Sequence, residues 1–312
     1  MFLIAAALTV ALLWWANPQD LWAVISQVSL PHLLILCLLQ LATICLISRQ
    51  WQLLVLESGD RISYLTMISI ILAGSFTEAI TPAVKAGGEA TKVVLLQKHT
   101  QLGLSGSLAV TAAQKALSMA AFALLTLSSL LWALRFIPVD PALRSGLLWA
   151  QGIMLGLVVL SGLIFVLLRL PQLPVPRWMA GFRQAMVLLT GNRRVMAGQF
   201  LLALVIWALF ALKAGLVVWM LGLDISIAAT AAVTYLSYLA GMAPLPGGLG
   251  AFEGAAALFL AGLSVTPENA LAFALVLRFV TFWFVFLVSG VWLIIRWLSS
   301  HLAKDLLVSD KI

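Results

Sequence analysis

The chain has 312 residues, of which 63% are hydrophobic and only 9% charged, with a mean hydropathy of +1.11. A soluble domain carries roughly 25% charged residues, so a water-soluble globule is excluded. The net charge of +7 does not mark a nucleic-acid binder, because Arg169, Arg177, Arg183, Arg193 and Arg194 crowd into one stretch between apolar segments. That is the signature of a cytoplasmic loop under the positive-inside rule.

In chain order, apolar length predicts full spans at about 2–16, 30–48, 104–134, 146–168, 195–221 and 268–297, each judged against the roughly 20 residues a spanning helix needs. The first of these lacks a basic region ahead of it and reads as a retained span, not a signal peptide. Two further regions, 62–101 and 225–263, are apolar but interrupted. The first breaks at Thr81-Pro82 through Gly87-Gly88, the second at Pro244-Leu245-Pro246-Gly247-Gly248-Leu249-Gly250. Proline removes a backbone donor and glycine disfavours helix, so each region reads as two arms joined by a non-helical tip. Such backbone persists at membrane depth only when buried in protein or lining a wet cavity. Each region is therefore a re-entrant hairpin or a pair of short spans. Residues 176–191 alternate basic and bulky apolar residues at helical spacing and predict an interfacial helix.

Loop charge predicts the orientation. Asp20 lies in a loop without Lys or Arg, which goes outside. Arg49, Arg61, the five-arginine loop and the tail with Arg296, Lys304 and Lys311 go inside. The prediction is a multi-pass cell-membrane protein with both termini cytoplasmic. Cys37 and Cys45 share one apolar segment, and His32, His99 and His301 are scattered, so no disulfide framework, metal site or cofactor is expected.

The interrupted regions repeat one another. Pro82 is followed by Glu89 and then Lys115; Pro246 is followed by Glu253 and then Arg278, about 164 residues later. Half 1 runs over about 1–135, half 2 over about 146–298, and 299–312 is a short tail, all within one transmembrane domain. Because the first hairpin enters from the cytoplasm and the second from outside, the expected fold is an all-α helical bundle with two broken hairpins in an inverted repeat. Many secondary transporters share that plan.

Lys115 and Arg278 stand about ten residues into their spans, or ~15 Å deep, the middle of a hydrocarbon core about 30 Å thick. A lone charge there costs at least about 2.5–3.5 kcal/mol, so Glu89 is expected to pair with Lys115 and Glu253 with Arg278. Two readings stand side by side. The pairs pin each hairpin to its long span, or the cations, with tip amides at Gly88 and Gly250, bind an anionic group such as a lipid phosphate. Pro82, Gly87, Gly88, Pro246, Gly247, Gly248 and Gly250 would form the tips. Glu78, beside Ser75 and Thr77, is a candidate proton carrier or a hydrogen-bond partner of the tip. Lys213 lies mid-segment with no partner that the sequence assigns.

The segments Asp20-Leu21-Trp22, Arg49-Gln50-Trp51-Gln52-Leu53-Leu54, Thr81-Pro82 through Gly87-Gly88-Glu89, and Pro244 to Glu253 with Arg278 resemble the lysylphosphatidylglycerol synthase transmembrane family, also called flippase-like membrane proteins. The resemblance covers nearly the whole chain, and the second hairpin with its arginine is its most specific part. In the first, Ala90 stands where many stand-alone relatives carry proline, and Lys92 where arginine is usual. The resemblance implies a bacterial or archaeal cell-membrane protein; in fused members this domain moves aminoacylated phospholipid between leaflets. Those members continue into a soluble aminoacyl-transferase domain, so synthase activity is not expected here. The expected function is a lipid translocase that binds an anionic or zwitterionic headgroup at mid-membrane. Its partner is a membrane lipid, with a second copy of the chain or a lipid-synthesising enzyme as further partners and no nucleic acid. The competing classes are a membrane-embedded enzyme and an accessory subunit acting on a lipid-linked substrate; against the enzyme, the sequence holds no nucleophile–base constellation.

Overall fold

A computed structural model describes residues 2–309 apart from 82–85, 137–140, 170–175 and 244. Helix α1 (Phe2–Trp15) and the short α2 (Pro18–Ile25) precede the long α3 (Leu30–Glu57). Helices α4 (Tyr64–Ile80) and α5 (Ala86–His99) form the first broken pair, followed by α6 (Gly103–Phe136). Helices α7 (Pro141–Arg169) and α8 (Arg177–Leu189) lead into α9 (Arg193–Met220). The second broken pair is α10 (Ile227–Ala240) and α11 (Ala251–Ala261), joined through a 3-10 turn at Pro246–Gly248. The described chain ends in one rod: α12 (Pro267–Arg278), a π-helical turn (Phe279–Trp283) and α13 (Phe284–Ser309).

The protein is an all-α integral membrane protein. Among the described residues, Leu30–Glu57, Gly103–Trp132, Arg193–Met220 and Pro267–Ser299 are long and apolar enough to cross a membrane. Two spans differ from the sequence prediction. The 14 residues of α1 extend only about 21 Å, short of a core about 30 Å thick; Asn17, at φ 49°, turns the chain straight into α2. Helix α3 in turn runs past Arg49 to Glu57, because nothing there breaks a helix: Arg49 bonds Gln52 one turn on (2.6 Å), and the first left-handed residue is Gly59, just past the helix end.

The local signals recur about 163 residues apart. Helices α3 and α9 begin at Leu30 and Arg193, and α4 and α10 at Tyr64 and Ile227. Ser63 caps α4 by accepting from the Thr66 amide (3.1 Å), and Ser226 caps α10 by accepting from the Ala229 amide (3.2 Å). Helices α3 and α9 close with the same pair of bonds. The Gly59 and Asp60 amides reach Leu56 and Val55; the Gly222 and Leu223 amides reach Trp219 and Val218. Gly59 (φ 87°) and Gly222 (φ 62°) take the left-handed conformation this helix stop requires.

Packing follows the same plan. Helix α3 lies against α9, α4 against α13, and α10 against α6, so the first arm of each broken pair packs on the long terminal helix of the other half. The 176–191 segment is helical as expected, forming α8, which buries Met186 and Leu189 against α6. One apolar cluster joins Phe252, Ala256 and Leu260 of α11 to Phe273, Ala274 and Leu277 of α12; another joins Trp51, Leu54 and Val55 of α3 to Met67 and Ile70 of α4.

Candidate functional site

The two halves place their carboxylates differently. In the first, α4 and α5 approach so closely that a Cβ on Gly88 would lie 2.6 Å from the Gly74 carbonyl oxygen. A Cβ on Gly74 would lie 2.5 Å from Cε of Lys92. Glycine at both positions lets the Lys92 chain lie across α4 and brings its ammonium to Glu89, 2.8 Å from Oε1. Lys115, about 18 Å along α6 from Gly103, reaches the same oxygen at 2.7 Å. Two cations thus share one carboxylate oxygen, while Glu89 Oε2 is buried without a hydrogen-bond partner.

This triad borders a cavity of about 200 Å³ enclosed by both halves. Its wall includes Lys92 and Lys115, with Gln40, Gln50 and Trp51 from α3, Ser75 and Glu78 from α4, Trp207 and Phe210 from α9, and Thr281 from the π turn. Lys92 is 7% exposed, whereas the Lys115 side chain is 39% exposed; Lys115 is the cation a ligand would meet first. From the wall a chain of amides leads outward: Gln114 Nε2 donates to Gln50 Oε1 (3.1 Å), and Gln50 Nε2 donates to the Gln199 backbone carbonyl (3.1 Å). Lys213, fully buried, donates to Gln40 and to Thr43 Oγ1 (3.2 Å), and its Nζ lies 4.1 Å from the Phe210 ring centre.

Glu253 and Arg278 do meet, with Nε 3.1 Å from Oε1, although that N–H is not aimed at the oxygen. They serve the second tip and stand outside the cavity wall. Arg278 Nη2 donates to the Gly247 carbonyl, and Glu253 Oε2 accepts from the Gly250 amide at 2.7 Å. The Gly250 donor expected to be available to an anion is therefore already taken by this chain's own carboxylate. Phe282 and Phe252 flank the guanidinium at 4.4 and 5.2 Å. A Cβ on Gly247 would collide with Phe282, and one on Gly248 (φ 70°) with the Gly241 carbonyl. At the first tip, Gly87 faces the Thr81 hydroxyl in the same intolerant way, and Gly88 carries Glu78 over it, 3.4 Å from Oε2 to the built Cβ. Pro82 and Pro244 lie outside the described residues; Pro246 opens the 3-10 turn.

Sequence reasoning missed Lys92 as a partner of Glu89, though its spacing of three on a helix was a readable signal. It also missed the amides, since uncharged glutamines do not stand out in an apolar stretch.

Cations within apolar helices, a shared carboxylate and a cavity lined by both halves define a polytopic membrane protein with a polar interior site. The sequence model of the Lysylphosphatidylglycerol synthase TM region matches residues 2–289, and the chain belongs to that family. It is similar to a UPF0104 membrane protein of Methanothermobacter thermautotrophicus, 21% identical over 284 residues that cover 81% of this chain and 82% of the relative. A UPF0104 membrane protein of Pyrococcus horikoshii is 22% identical over 323 residues, covering 93% of this chain and 95% of the relative.

Proposed function

We propose that this chain is a lipid translocase that carries a phospholipid or related headgroup through the bilayer in the cavity between its halves. One observation carries the reading: Lys92 and Lys115, bridged by Glu89, face a cavity lined by both halves. A charged headgroup crossing bare hydrocarbon loses its hydration without replacement. A wall of ammonium, amide and hydroxyl groups replaces that hydration and lowers the barrier, while the acyl chains stay in lipid. The family's description, the membrane region of a lysylphosphatidylglycerol synthase, supports a phospholipid as the cargo.

On this reading the repeated elements are inverted across the membrane and the broken pairs are re-entrant hairpins. Both termini are cytoplasmic in the cell membrane, as loop charge favours. The Glu89 triad meets the headgroup, Glu253 and Arg278 hold the second tip in shape, and Glu78 on the cavity wall is the carboxylate placed to exchange a proton. A second copy of the chain, or an enzyme that makes the lipid, would be the protein partner. Reconstitution in liposomes with labelled phospholipid tests the proposal. Transfer between leaflets should exceed that of protein-free vesicles, and Lys115→Met should return it to background. Equal transfer with and without protein would overturn the translocase reading.

A further inference from the structure

We infer that Gln40 is a headgroup contact and that Lys213 positions it: the ammonium behind the wall turns the Gln40 amide so that its N–H groups face an anionic phosphodiester oxygen in the cavity. This deepens the headgroup reading above and rests on it. The first observation is an uncompensated charge. Lys213 is fully buried on α9, and no carboxylate pairs with it among the described residues, whereas Lys92 and Lys115 share Glu89. Its ammonium has donors to spend on Gln40 Oε1, Thr43 Oγ1 (3.2 Å) and the Phe210 face (4.1 Å), none of them an anion. A buried ammonium without a counter-charge is costly, and an anion held on the far side of Gln40 reduces that cost.

The second observation is the direction of the amide. An ammonium only donates, so the Gln40 atom that meets it is the oxygen, and the nitrogen is turned away. A neighbouring donor is what fixes the end of a glutamine in this way. Thr43 cannot reverse the arrangement, because its hydroxyl hydrogen is spent on the Leu39 carbonyl (2.7 Å).

The third observation is where the nitrogen goes. Gln40 belongs to the cavity wall, and its Nε2 has no partner among the described residues. The orphan oxygens of Gln114 and Gln199 are sealed inside the protein; Gln40 Nε2 is not among these sealed atoms, so its donors open to the cavity. Other polar groups of the wall already donate within the protein: Gln50 to Gln199, Gln114 to Gln50, Trp207 Nε1 to Ser118 (3.1 Å) and Thr281 to Leu277 (2.9 Å). Hydrogen bonds in a chain polarise one another. Gln40 thus presents to the cavity a positive end backed by the Lys213 charge from the other half.

The test uses the full chain in maltoside detergent and measures binding of dihexanoyl phosphatidylglycerol, with dihexanoylglycerol, which lacks the phosphate, as the control. Gln40→Glu keeps a partner for Lys213 but, ionised beside it, has no N–H to give. It should weaken phosphatidylglycerol binding about ten- to hundredfold, the size of a hydrogen bond to a charged group, without lowering the thermal midpoint. Lys213→Met should weaken binding comparably, since the amide is then free to turn. Gln40→Met combined with Lys213→Met should bind within about twofold of Lys213→Met alone, because residues that act as a unit are not additive.

Unchanged affinity in Gln40→Glu would overturn the contact, and a double variant far weaker than Lys213→Met would overturn the positioning role. A thermal midpoint that falls in step with affinity in both single variants would make the pair structural and overturn the inference. If phosphatidylglycerol does not bind, or dihexanoylglycerol binds as tightly, the headgroup reading itself falls. Deacylated glycerophosphoglycerol binding as tightly as the lipid would keep the ligand chemistry and overturn its assignment to a lipid.

Discussion

Glu89 and Glu253 occupy equivalent positions in the repeat, yet their surroundings set them different tasks. Glu253 gives one oxygen to a tip amide and the other to Arg278, and both residues are 6% exposed. Removing one charge from such a pair leaves the other buried and uncompensated, which costs about 3–5 kcal/mol. Glu253→Gln is therefore expected to lower the thermal midpoint of the detergent-purified protein sharply. Glu253→Gln combined with Arg278→Met should recover part of the loss, because the orphaned charge is gone. Lys115 is different: its side chain is 39% exposed, so its ion pair is partly screened and contributes little. On the proposed function, added anionic lipid should stabilise the parent protein, and Lys115→Met should abolish that stabilisation while shifting the midpoint only slightly. A large midpoint shift with lipid stabilisation intact would reverse these assignments.

At the scale of elements, the broken pairs depend on close backbone approach. Gly248 holds φ 70°, and any Cβ there meets the Gly241 carbonyl, so Gly248→Ala combines backbone strain with a clash. A cost of about 1–3 kcal/mol is expected for the strained conformation, read as a lowered midpoint together with faster proteolysis at the tip. The π turn Phe279–Trp283 sits where the last rod touches both tip and cavity. Phe282 flanks Arg278 and covers Gly247, while Thr281 faces the cavity. One extra residue per turn re-aims side chains, and such insertions recur at functional sites. Deleting Phe279 would restore α-helical register and rotate the following residues by about 100°. Thr281 would then leave the cavity wall, and loss of lipid-dependent stabilisation is the expected result.

For the molecule as a whole, the proposed inversion makes a geometric demand. With Cys37 and Cys45 replaced, a cysteine at the exposed Asp20 and one at the exposed Arg193 should react with impermeant reagents from opposite sides of intact cells. Labelling from the same side would exclude the inverted arrangement.

Much of this organisation was legible in one dimension. A run of apolar residues must become helix in lipid, because no water is there to bond the backbone. A Pro-Gly break or a lone charge in such a run stands out for the same reason, which is why Glu89, Lys115, Glu253 and Arg278 could be named and paired from spacing. The internal duplication was read from Pro82, Glu89 and Lys115 recurring as Pro246, Glu253 and Arg278; the matching serine caps and glycine stops emerged only with the structure. Lys92, the amide chain and the cavity were not legible. Gln40 meets Lys213 across 173 residues of sequence and Gln50 meets Gln199 across 149, so their meeting depends on which helix faces pack together. The sequence alone thus determined a membrane-embedded helical protein with two broken elements and four charges set among apolar residues, because burial in lipid punishes each departure locally. Only the tertiary structure decided that one carboxylate serves a cavity and the other a tip, because that choice depends on where distant helices leave space and where aromatic rings close it.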